Sequence, residues 1–432
     1  MMAAIDNSIP VVVLGLETHG SIGIMRSLGR LGVRVYGIHF NRRSAASASR
    51  YCRGTFLRDL GAASNGETLD FLHNVARRIG TCPVLMPTAD EGAAFVAENA
   101  ASLRGSFIFP ENSPELVRAL ISKKCMYYLA KDCSIPTAET AFPHSRKEVI
   151  EFARTATFPV MLKGIDGNSL KRRAGIKMVI AQAASELLAK YDQLEDPDNP
   201  NLMLQEYIPG GEDTVWMFNG YFNAQSDCLA AFTGKKIRQS PVYTGATSLG
   251  ICLANPVVEQ TTRDFMKSVG YKGILDIGYR YDARDGRYKV LDINPRIGAT
   301  FRLFADSRGY DVARAMYLDM TGQNVPEMRG VEGRKWAVEF NDLRSCIQYR
   351  NDGRLKFGEW IKSYRGVQET AYFAVDDPRP FFKECADTVA RNCAKFAGFL
   401  RRSSDQSTPK PDISPPVSQT QDSPELSKSP VK

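Results

Sequence analysis

The first part of the chain alternates between short apolar runs and longer amphipathic stretches. The run from Val11 to Leu14 has no polar residue and ends at Gly15, a pattern typical of a strand buried on both faces of a parallel sheet. A glycine-containing turn, a helical stretch from Ile24 to Leu31 and a second strand from Val33 to Ile38 follow. Further strands, with helices between them, are predicted at 83–87 and 106–110. This order predicts an N-terminal α/β domain of Rossmann-like type at about residues 8–115.

The glycines of this domain bear on dinucleotide binding. Gly15, Gly20 and Gly23 do not reproduce the G-x-G-x-x-G spacing, and His39 stands where a ribose-binding acid would end the second strand. An NAD-dependent enzyme is therefore disfavoured, and a structural α/β domain is the preferred interpretation.

From residue 116 to 325, helices are grouped among runs of consecutive strands, which predicts an α+β arrangement. Strands are predicted at 160–163, 177–180, 202–207, 214–218, 228–233, 274–281 and 288–293. Helices are predicted at 116–133, 147–156 and 184–194, with a polar loop from Gly164 to Gly175. A smaller piece, 326–400, ends in a helix from about Pro380 to Leu400. The tail, 401–432, is rich in Pro, Ser, Gln and Lys and has the composition of a disordered segment.

Composition narrows the class of protein. The chain has 432 residues, 43% of them hydrophobic, and a net charge of +8 that is spread along the sequence. A diffuse positive excess suits an anionic small molecule such as a nucleotide and argues against nucleic-acid binding. Nine cysteines without a CxxC pair and only four histidines indicate reduced thiols and argue against zinc. We find neither a membrane-spanning run nor a signal peptide, so we expect a cytoplasmic protein.

Three side chains of complementary chemistry follow the apolar run that ends at Leu291. Asp292 and Asn294 are two residues apart, so on a strand they point to one face, and Arg296 continues the row. A carboxylate beside an amide oxygen suits Mg²⁺, and a guanidinium can bind phosphate through two hydrogen bonds. A strand that ends in a proline turn with solvated charges explains this segment equally well.

A second acidic pattern precedes this row. Asp276 and Asp282 alternate along the predicted strand at 274–282 and share one of its faces. Either is a candidate for a second metal carboxylate. The alternative is an exposed sheet face with a pattern of charges.

Two lysines and one hinge-like segment complete the candidate chemistry. Lys163 ends an apolar strand and runs into the polar loop, where backbone N–H groups could hold phosphate, and Lys123 lies on the preceding helix. The segment from Gln205 to Ile208 leaves an apolar strand, and its backbone could pair with a purine edge. Glu212 follows at a spacing suited to ribose hydroxyls. Taken singly, a solvated basic loop, surface lysines and a Pro-Gly-Gly turn are the simpler interpretations.

All these segments occur in one order, and that order resembles the ATP-grasp superfamily over about residues 10–325. The matching segments are Pro159–Gly164, Gln205–Glu212 and Asp292–Arg296. Within the superfamily, the chain is similar to carboxylate–amine ligases of the D-aspartate-ligase type and to the large subunit of carbamoyl-phosphate synthase. The segments 234–241, 244–248 and 298–302 support this. The chain departs from the pattern in having Asp292 in place of Glu, Gln205 where Glu is frequent, and Gly278 at the expected position of the first metal acid.

The resemblance implies an ATP-grasp fold preceded by a pre-grasp domain, and a ligase that uses ATP and Mg²⁺ (or Mn²⁺). It implies that Lys123, Lys163, Gln205, Glu206, Tyr207, Ile208 and Glu212 bind ATP. It also implies that Asp292 and Asn294 bind metal together with either Asp276 or Asp282. It also implies that Lys163 and Arg296 act in catalysis, with Arg238 and Arg302 as candidates for orienting an acid substrate. Structural ion pairing is an equal alternative for Arg238 and Arg302.

The implied partners are a small carboxylate and a small amine, without nucleic acid or membrane, and dimers are common in the superfamily. A biotin carboxylase is disfavoured because its substrate-side signature is missing. A nucleotide-binding module without ligase turnover remains an alternative.

Overall fold

The computed structural model describes residues 5–40, 44–59 and 63–405. The disordered tail was predicted from residue 401, but the last helix of the described chain extends to Asp405. The remainder of the predicted tail lies outside the described residues. The chain divides into two compact units, one ending at Glu384 and the other beginning at Cys385. None of the helices in the described ranges is long and apolar enough to cross a membrane.

The first unit opens with a parallel four-stranded sheet. Its elements are β1 (Val11–Leu14), α1 (His19–Gly29), β2 (Val35–His39), β3 (Cys52–Leu57), α2 (Asn65–Ile79), β4 (Val84–Pro87), α3 (Asp90–Glu98) and α4 (Ala100–Leu103). The strand order is β3-β2-β1-β4, and β1 is fully buried, as its apolar run predicts. The strand predicted at 106–110 is wrong in extent, since only an isolated bridge joins Ile108 to Val84.

A second, mostly antiparallel sheet of four strands follows. Its elements are α5 (Pro114–Ile121), α6 (Lys123–Asp132), β5 (Thr140–Ala141), α7 (Arg146–Thr155), β6 (Val160–Gly164), α8 (Gly167–Ala174), β7 (Met178–Ala181), α9 (Ala184–Leu194) and β8 (Leu202–Glu206). The order β5-β8-β6-β7 places β6 between β7 and β8.

Two predictions for this region are wrong. The helix predicted at 116–133 is two helices, because the Ser122 side chain caps a new helix by accepting from the N–H of Cys125. The loop predicted from Gly164 to Gly175 is largely helix α8, whose last turn carries Lys171, Arg172 and Arg173. Basic side chains are favourable there because the helix dipole leaves negative charge at the carboxyl end.

A seven-stranded sheet contains the rest of the strands. The elements of this part of the chain are β9 (Val215–Phe222), β10 (Cys228–Ser240), β11 (Ala246–Cys252), α10 (Pro256–Ser268), β12 (Gly273–Asp282), β13 (Arg287–Asn294), α11 (Val312–Met320), β14 (Lys335–Ala337), α12 (Glu339–Asn351), α13 (Phe357–Ser363), β15 (Val367–Thr370) and α14 (Arg379–Asp405). The order is β13-β12-β9-β10-β11-β14-β15. Strands β14 and β15 come from the predicted C-terminal piece and extend the same sheet. The boundaries at 115 and 325 stay predictions.

Two glycines of α1 allow close packing against the segment that follows β13. A Cβ atom on Gly20 would lie 2.9 Å from the Cα of Ala299, and one on Gly23 would lie 2.8 Å from the ring of Phe301. Both distances are shorter than a carbon–carbon contact. These glycines therefore have a packing role, which accounts for their presence without a dinucleotide.

A buried ion pair joins α1 to the segment after β15. Arg26 donates from Nε to Asp377 at 3.1 Å, and both side chains are almost completely buried. Asp377 also accepts from the Ser49 hydroxyl at 2.7 Å and from the Arg50 N–H at 2.8 Å. The carboxylate is thus satisfied by three donors, which offsets its desolvation.

We expect Asp377→Ala to lower the free energy of unfolding by about 3–5 kcal/mol, because it leaves the Arg26 guanidinium buried without its partner. Chemical denaturation of the purified variant measures the loss. Asp376→Ala is the matched control, because the Arg30–Asp376 pair is partly exposed and is expected to contribute less. Equal losses in the two variants would contradict the assignment.

Candidate nucleotide and metal site

The pairing of β12 with β13 sets the geometry of the acidic row. Asp276 lies opposite Asn294, and Gly278 lies opposite Asp292, so the four positions share one face of the sheet. Asn294 donates to the Asp292 carboxylate at 3.3 Å and to the backbone carbonyl of Asp276 at 3.2 Å. The structure therefore brings together Asp276, Asp292 and Asn294, three of the four predicted metal ligands.

Asp282 is not part of this group. It lies four residues beyond Gly278 on β12, about 13 Å along the strand from the position opposite Asp292. Its buried carboxylate accepts from Lys289 at 2.7 Å and from Arg284 at 2.5 Å. A carboxylate this far away cannot share a metal ion with Asp292, so the alternative that names Asp282 as the second metal ligand is wrong.

The surroundings of Asp276 fit a cation. Burial raises the pKa of Asp276 to about 6, and the nearby Arg296 partly offsets this. On β9, Asn219 lies directly opposite Asp276 and donates to it at 3.4 Å. The side-chain carbonyl oxygen of Asn219 is buried and has no hydrogen-bond partner within the described ranges. Two carboxylates with nearby amide oxygens are the hard donors that Mg²⁺ takes while it keeps water and phosphate as other ligands.

No cluster of three or more His, Cys, Asp or Glu side chains suited to a metal occurs among the described residues. Two carboxylates and an amide are a sparse set, which fits Mg²⁺ bound together with substrate phosphates better than it fits a preformed metal cage.

Arg296 is hydrogen-bonded to a member of the same row. Its guanidinium donates to Asn294 Oδ1 at 3.0 Å and to Asp90, at the start of α3, at 2.8 Å. The row thus runs from Asp292 through Asn294 to Arg296. The hydrogen bond from Arg296 to Asp90 connects it to helix α3 of the N-terminal part of the chain. An arginine held by one amide and one half-exposed acid keeps donors available for phosphate.

Three lysines line a pocket of about 390 Å³ beside β6: Lys123, Lys163 and Lys177. Lys123 begins α6 and donates to the carbonyl of Gly164 at 2.9 Å, while Lys163 donates to Gln205 Oε1 at 2.8 Å. Both ammonium groups lie within electrostatic range of Asp292. The two predicted ATP lysines and the acidic row are therefore close in space. Lys177 was missed because no motif marks it.

Burial lowers the pKa values of two of these lysines. Burial, with a smaller contribution from Lys123, lowers the pKa of Lys163 to about 8. Burial also lowers the pKa of Lys123. Burial outweighs the nearby carboxylates in both lysines, so the negative charge of a bound polyphosphate would stabilise their charged forms.

The predicted hinge is anchored on both sides. Gln205 bridges Lys163 and Thr140, to which it donates at 2.9 Å. Glu206 accepts from Arg284 at 2.6 Å and lies 3.4 Å from Lys289, so the hinge is fastened to the β12–β13 hairpin. These contacts hold the backbone that follows in one conformation.

The segment after Glu206 faces other elements of the large sheet. Arg280 of β12 lies over the Tyr207 ring at 5.8 Å, and Ile208 is buried. Glu212 begins a short 3-10 helix and accepts from the Tyr349 hydroxyl at 2.9 Å.

Arg238 and Arg302 are engaged in buried ion pairs. Arg238 donates two hydrogen bonds of 2.8 Å to Asp342 and a third to Ser363, and it is 4% exposed. Arg302 pairs with Asp311 and donates to Glu369 at 2.7 and 3.0 Å. These ion pairs favour the alternative that both arginines have a structural role, and a role in orienting an acid substrate stays a prediction. Their partners lie up to about a hundred residues away along the chain, where sequence motifs give no sign of them.

Comparisons with known proteins find similarity in sequence and in fold. No family model matches the chain. It is 22% identical to the D-aspartate ligase of Enterococcus faecium over 240 residues, 54% of this chain and 57% of that protein. It is 19% identical to the biotin carboxylase of Allochromatium vinosum, over 70% of this chain and 68% of that protein. The chain thus spans little more than half of the D-aspartate ligase that it matches.

Among solved structures, the N5-carboxyaminoimidazole synthetase of Staphylococcus aureus in complex with ADP superimposes with a TM-score of 0.59. The two share 10% sequence identity, over 77% of this chain and 83% of that one. This likeness concerns the fold, which mixes helices and sheets in the same arrangement.

We expect the affinity for ATP to fall as the pH rises above about 8, because phosphate binding needs the Lys163 ammonium and its lowered pKa allows deprotonation there. The dissociation constant should rise by up to about tenfold per pH unit. Titration calorimetry between pH 7 and 9.5 measures it. Lys163→Arg is the control, because a guanidinium stays charged over this range. The same pH profile in both proteins would contradict the role of Lys163.

Proposed function

We propose that the chain is a carboxylate–amine ligase of the ATP-grasp group, to which its relatives and its fold are similar, and that it activates a carboxylate with ATP and joins it to an amine. The carboxylate oxygen attacks the γ-phosphorus, and the bond from that phosphorus to the β–γ bridging oxygen breaks, which releases ADP. The amine nitrogen then attacks the acyl carbon, phosphate leaves with the former carboxylate oxygen, and the nitrogen loses a proton. The observation that carries the proposal is the proximity of Lys123 and Lys163 to the Asp292 row.

Each group has a role in this scheme. The hinge from Gln205 to Ile208 would hold the purine, and Glu212 would accept from the ribose hydroxyls. Lys123 and Lys163 would bind the α- and β-phosphates, with Lys177 as an additional cation. Most of the catalysis comes from positioning and charge neutralisation, since phosphoryl transfer asks little covalent chemistry of the protein.

Asp276, Asp292 and Asn294 would hold Mg²⁺, and Arg296 would stabilise charge on the transferred phosphoryl group. When bound, the metal ion neutralises phosphate charge. The pre-grasp identity of the N-terminal sheet and the domain boundaries near 115 and 325 belong to the same proposal, as does a dimeric state. The relatives differ in their substrates, and the acid and the amine used here follow from loops that the motifs do not specify.

One observation favours a second candidate, a nucleotide-binding module without turnover. Gly278 stands opposite Asp292, at the position where the resemblance places the first metal acid. A protein with one fewer carboxylate could bind the nucleotide and still fail to activate a substrate.

The first test is ADP release by the purified chain with ATP, Mg²⁺ and a panel of carboxylates and amines, followed by mass spectrometry of the products. We expect ADP and phosphate to form together with an amide, and turnover to be lost in Asp292→Ala and Lys163→Ala, because each variant removes a group that contacts phosphate or metal. ATP binding without ADP formation for any substrate pair would support the second candidate. Unchanged ATP binding in both variants would contradict the site.

The second test separates the two acids of β12. We expect Asp276→Asn to weaken the Mg²⁺-dependent part of ATP affinity by about tenfold or more, because it removes a charged ligand. Asp282→Asn should lower the melting temperature, since it breaks the pair with buried Lys289, and it should leave the Mg²⁺ dependence unchanged. Nucleotide titrations with and without Mg²⁺ measure both. Loss of Mg²⁺ dependence in Asp282→Asn alone would reverse the assignment.

A further inference from the structure

Helix α12, in the predicted C-terminal piece, is fixed to the large sheet by one buried carboxylate. Asp342 accepts two hydrogen bonds of 2.8 Å from Arg238 of β10 and one of 3.0 Å from Ser248 of β11. Trp360 of α13 and Tyr364, which directly follows this helix, each donate to it at 2.8 Å. A buried carboxylate with five donors holds its helix in one position, because moving the helix would leave several of these groups unpaired.

The same face of α12 continues towards Glu212. Asp342, Ser345, Cys346 and Tyr349 are all buried and fall at helical spacing. Ser345 donates to the carbonyl of Gln239 at 2.7 Å, which adds a second attachment to β10. Tyr349 lies two turns, or about 10 Å, beyond Asp342 along the helix. The hydrogen bonds at Asp342 therefore help to determine the position of the Tyr349 hydroxyl.

The hydroxyl of Tyr349 has one hydrogen-bond donor and one hydrogen-bond acceptor beside it. The backbone N–H of Tyr243 donates to it at 3.4 Å, so the hydroxyl proton is free to go to Glu212 Oε1 at 2.9 Å. Burial raises the pKa of Tyr349, which keeps the hydroxyl protonated and therefore a donor. The Tyr243 ring packs edge-on against the Tyr349 ring with centroids 5.2 Å apart. Both contacts restrict the orientation of the Tyr349 side chain.

Only one of the two carboxylate oxygens of Glu212 accepts a hydrogen bond from the described residues. Glu212 is half-buried, and the hydrogen bonds of the described residues include one to its Oε1 and none to its Oε2. A carboxylate with one oxygen held by a fixed donor has lost most of its rotational freedom before a ligand arrives. Preorganisation of this kind increases affinity because less ordering is needed on binding.

We propose that Tyr349 is a positioning residue for the nucleotide and that helix α12 completes the ribose subsite. The Tyr349 hydroxyl holds Glu212 Oε1, so that Oε2 accepts from the ribose hydroxyls. This inference rests on the proposed function, since it takes Glu212 as the ribose-binding acid. It assigns a role in nucleotide selection to a part of the chain that lies outside the segments resembling the superfamily.

The test compares ATP with 2′,3′-dideoxy-ATP in the full chain. We expect Tyr349→Phe to raise the dissociation constant for ATP by about three- to tenfold, since it loses one hydrogen bond to a charged group. The constant for the dideoxy nucleotide should change by less than about twofold, because that ligand does not use Glu212 Oε2. A purely structural role would weaken both nucleotides equally and would overturn the proposal.

Tyr243→Phe is the matched control. It removes the hydroxyl that donates to Asp352 at 2.7 Å and keeps the backbone N–H that meets Tyr349. It should leave the preference for ATP over the dideoxy nucleotide unchanged, and loss of that preference in this control would overturn the proposal.

Glu212→Gln distinguishes this proposal from the proposed function. When Tyr349→Phe is added to the Glu212→Gln variant, it should not further change the preference for ATP over 2′,3′-dideoxy-ATP. If Glu212→Gln weakens ATP and Tyr349→Phe does not, the positioning role is wrong and the ribose role of Glu212 stands. If wild-type protein binds no ATP, the proposed function itself fails.

Discussion

The candidate site depends on the register of one antiparallel pair, β12 with β13. In that register Asp276 faces Asn294 and Asp292 faces a glycine, so two carboxylates and an amide meet on one face. A shift of one residue would send alternate side chains to the opposite face of the sheet and disperse them. The register is held by buried apolar residues on the other face, including Ile277, Tyr279 and Ile293, which belong to one core cluster. Hydrophobic packing on one side of the sheet thus determines which acidic side chains meet on the other.

Much of the site could be predicted from sequence because its parts are local. Lys163, the hinge from Gln205 and the row from Asp292 to Arg296 are each a few adjacent residues on a strand or just beyond one, and strand periodicity determines which side chains point together. The order of these segments then led to the superfamily, which the relatives confirm. The α+β character and most strands were predicted for the same reason, although their ends were not.

What could not be predicted depends on contacts between distant segments. Arg238 and Arg302 resembled substrate-binding residues until their acids, Asp342, Asp311 and Glu369, were placed beside them by folding. Asp276 and Asp282 are equivalent by spacing, and only the pairing with β13 distinguishes them. Helix α8 was interpreted as a loop because its glycine and polar residues lack an apolar stripe. The buried stripe of α12 was missed since it consists of Asp, Ser, Cys and Tyr, a pattern that hydrophobic periodicity does not detect.

The ion pairs of Glu206 have a consequence for how such a protein can diversify. They join the end of β8 to the β12–β13 hairpin, which also carries Asp276, Asp292 and Asn294. Lys163 donates to Gln205, the residue before Glu206, so one lysine of the pocket is attached to the same strand end. Sequence changes that keep these few contacts leave the relative positions of the acidic row, this lysine and the predicted hinge intact. Loops outside this set of contacts can change in length and sequence. The chain and the D-aspartate ligase of Enterococcus faecium differ at nearly four of every five aligned positions.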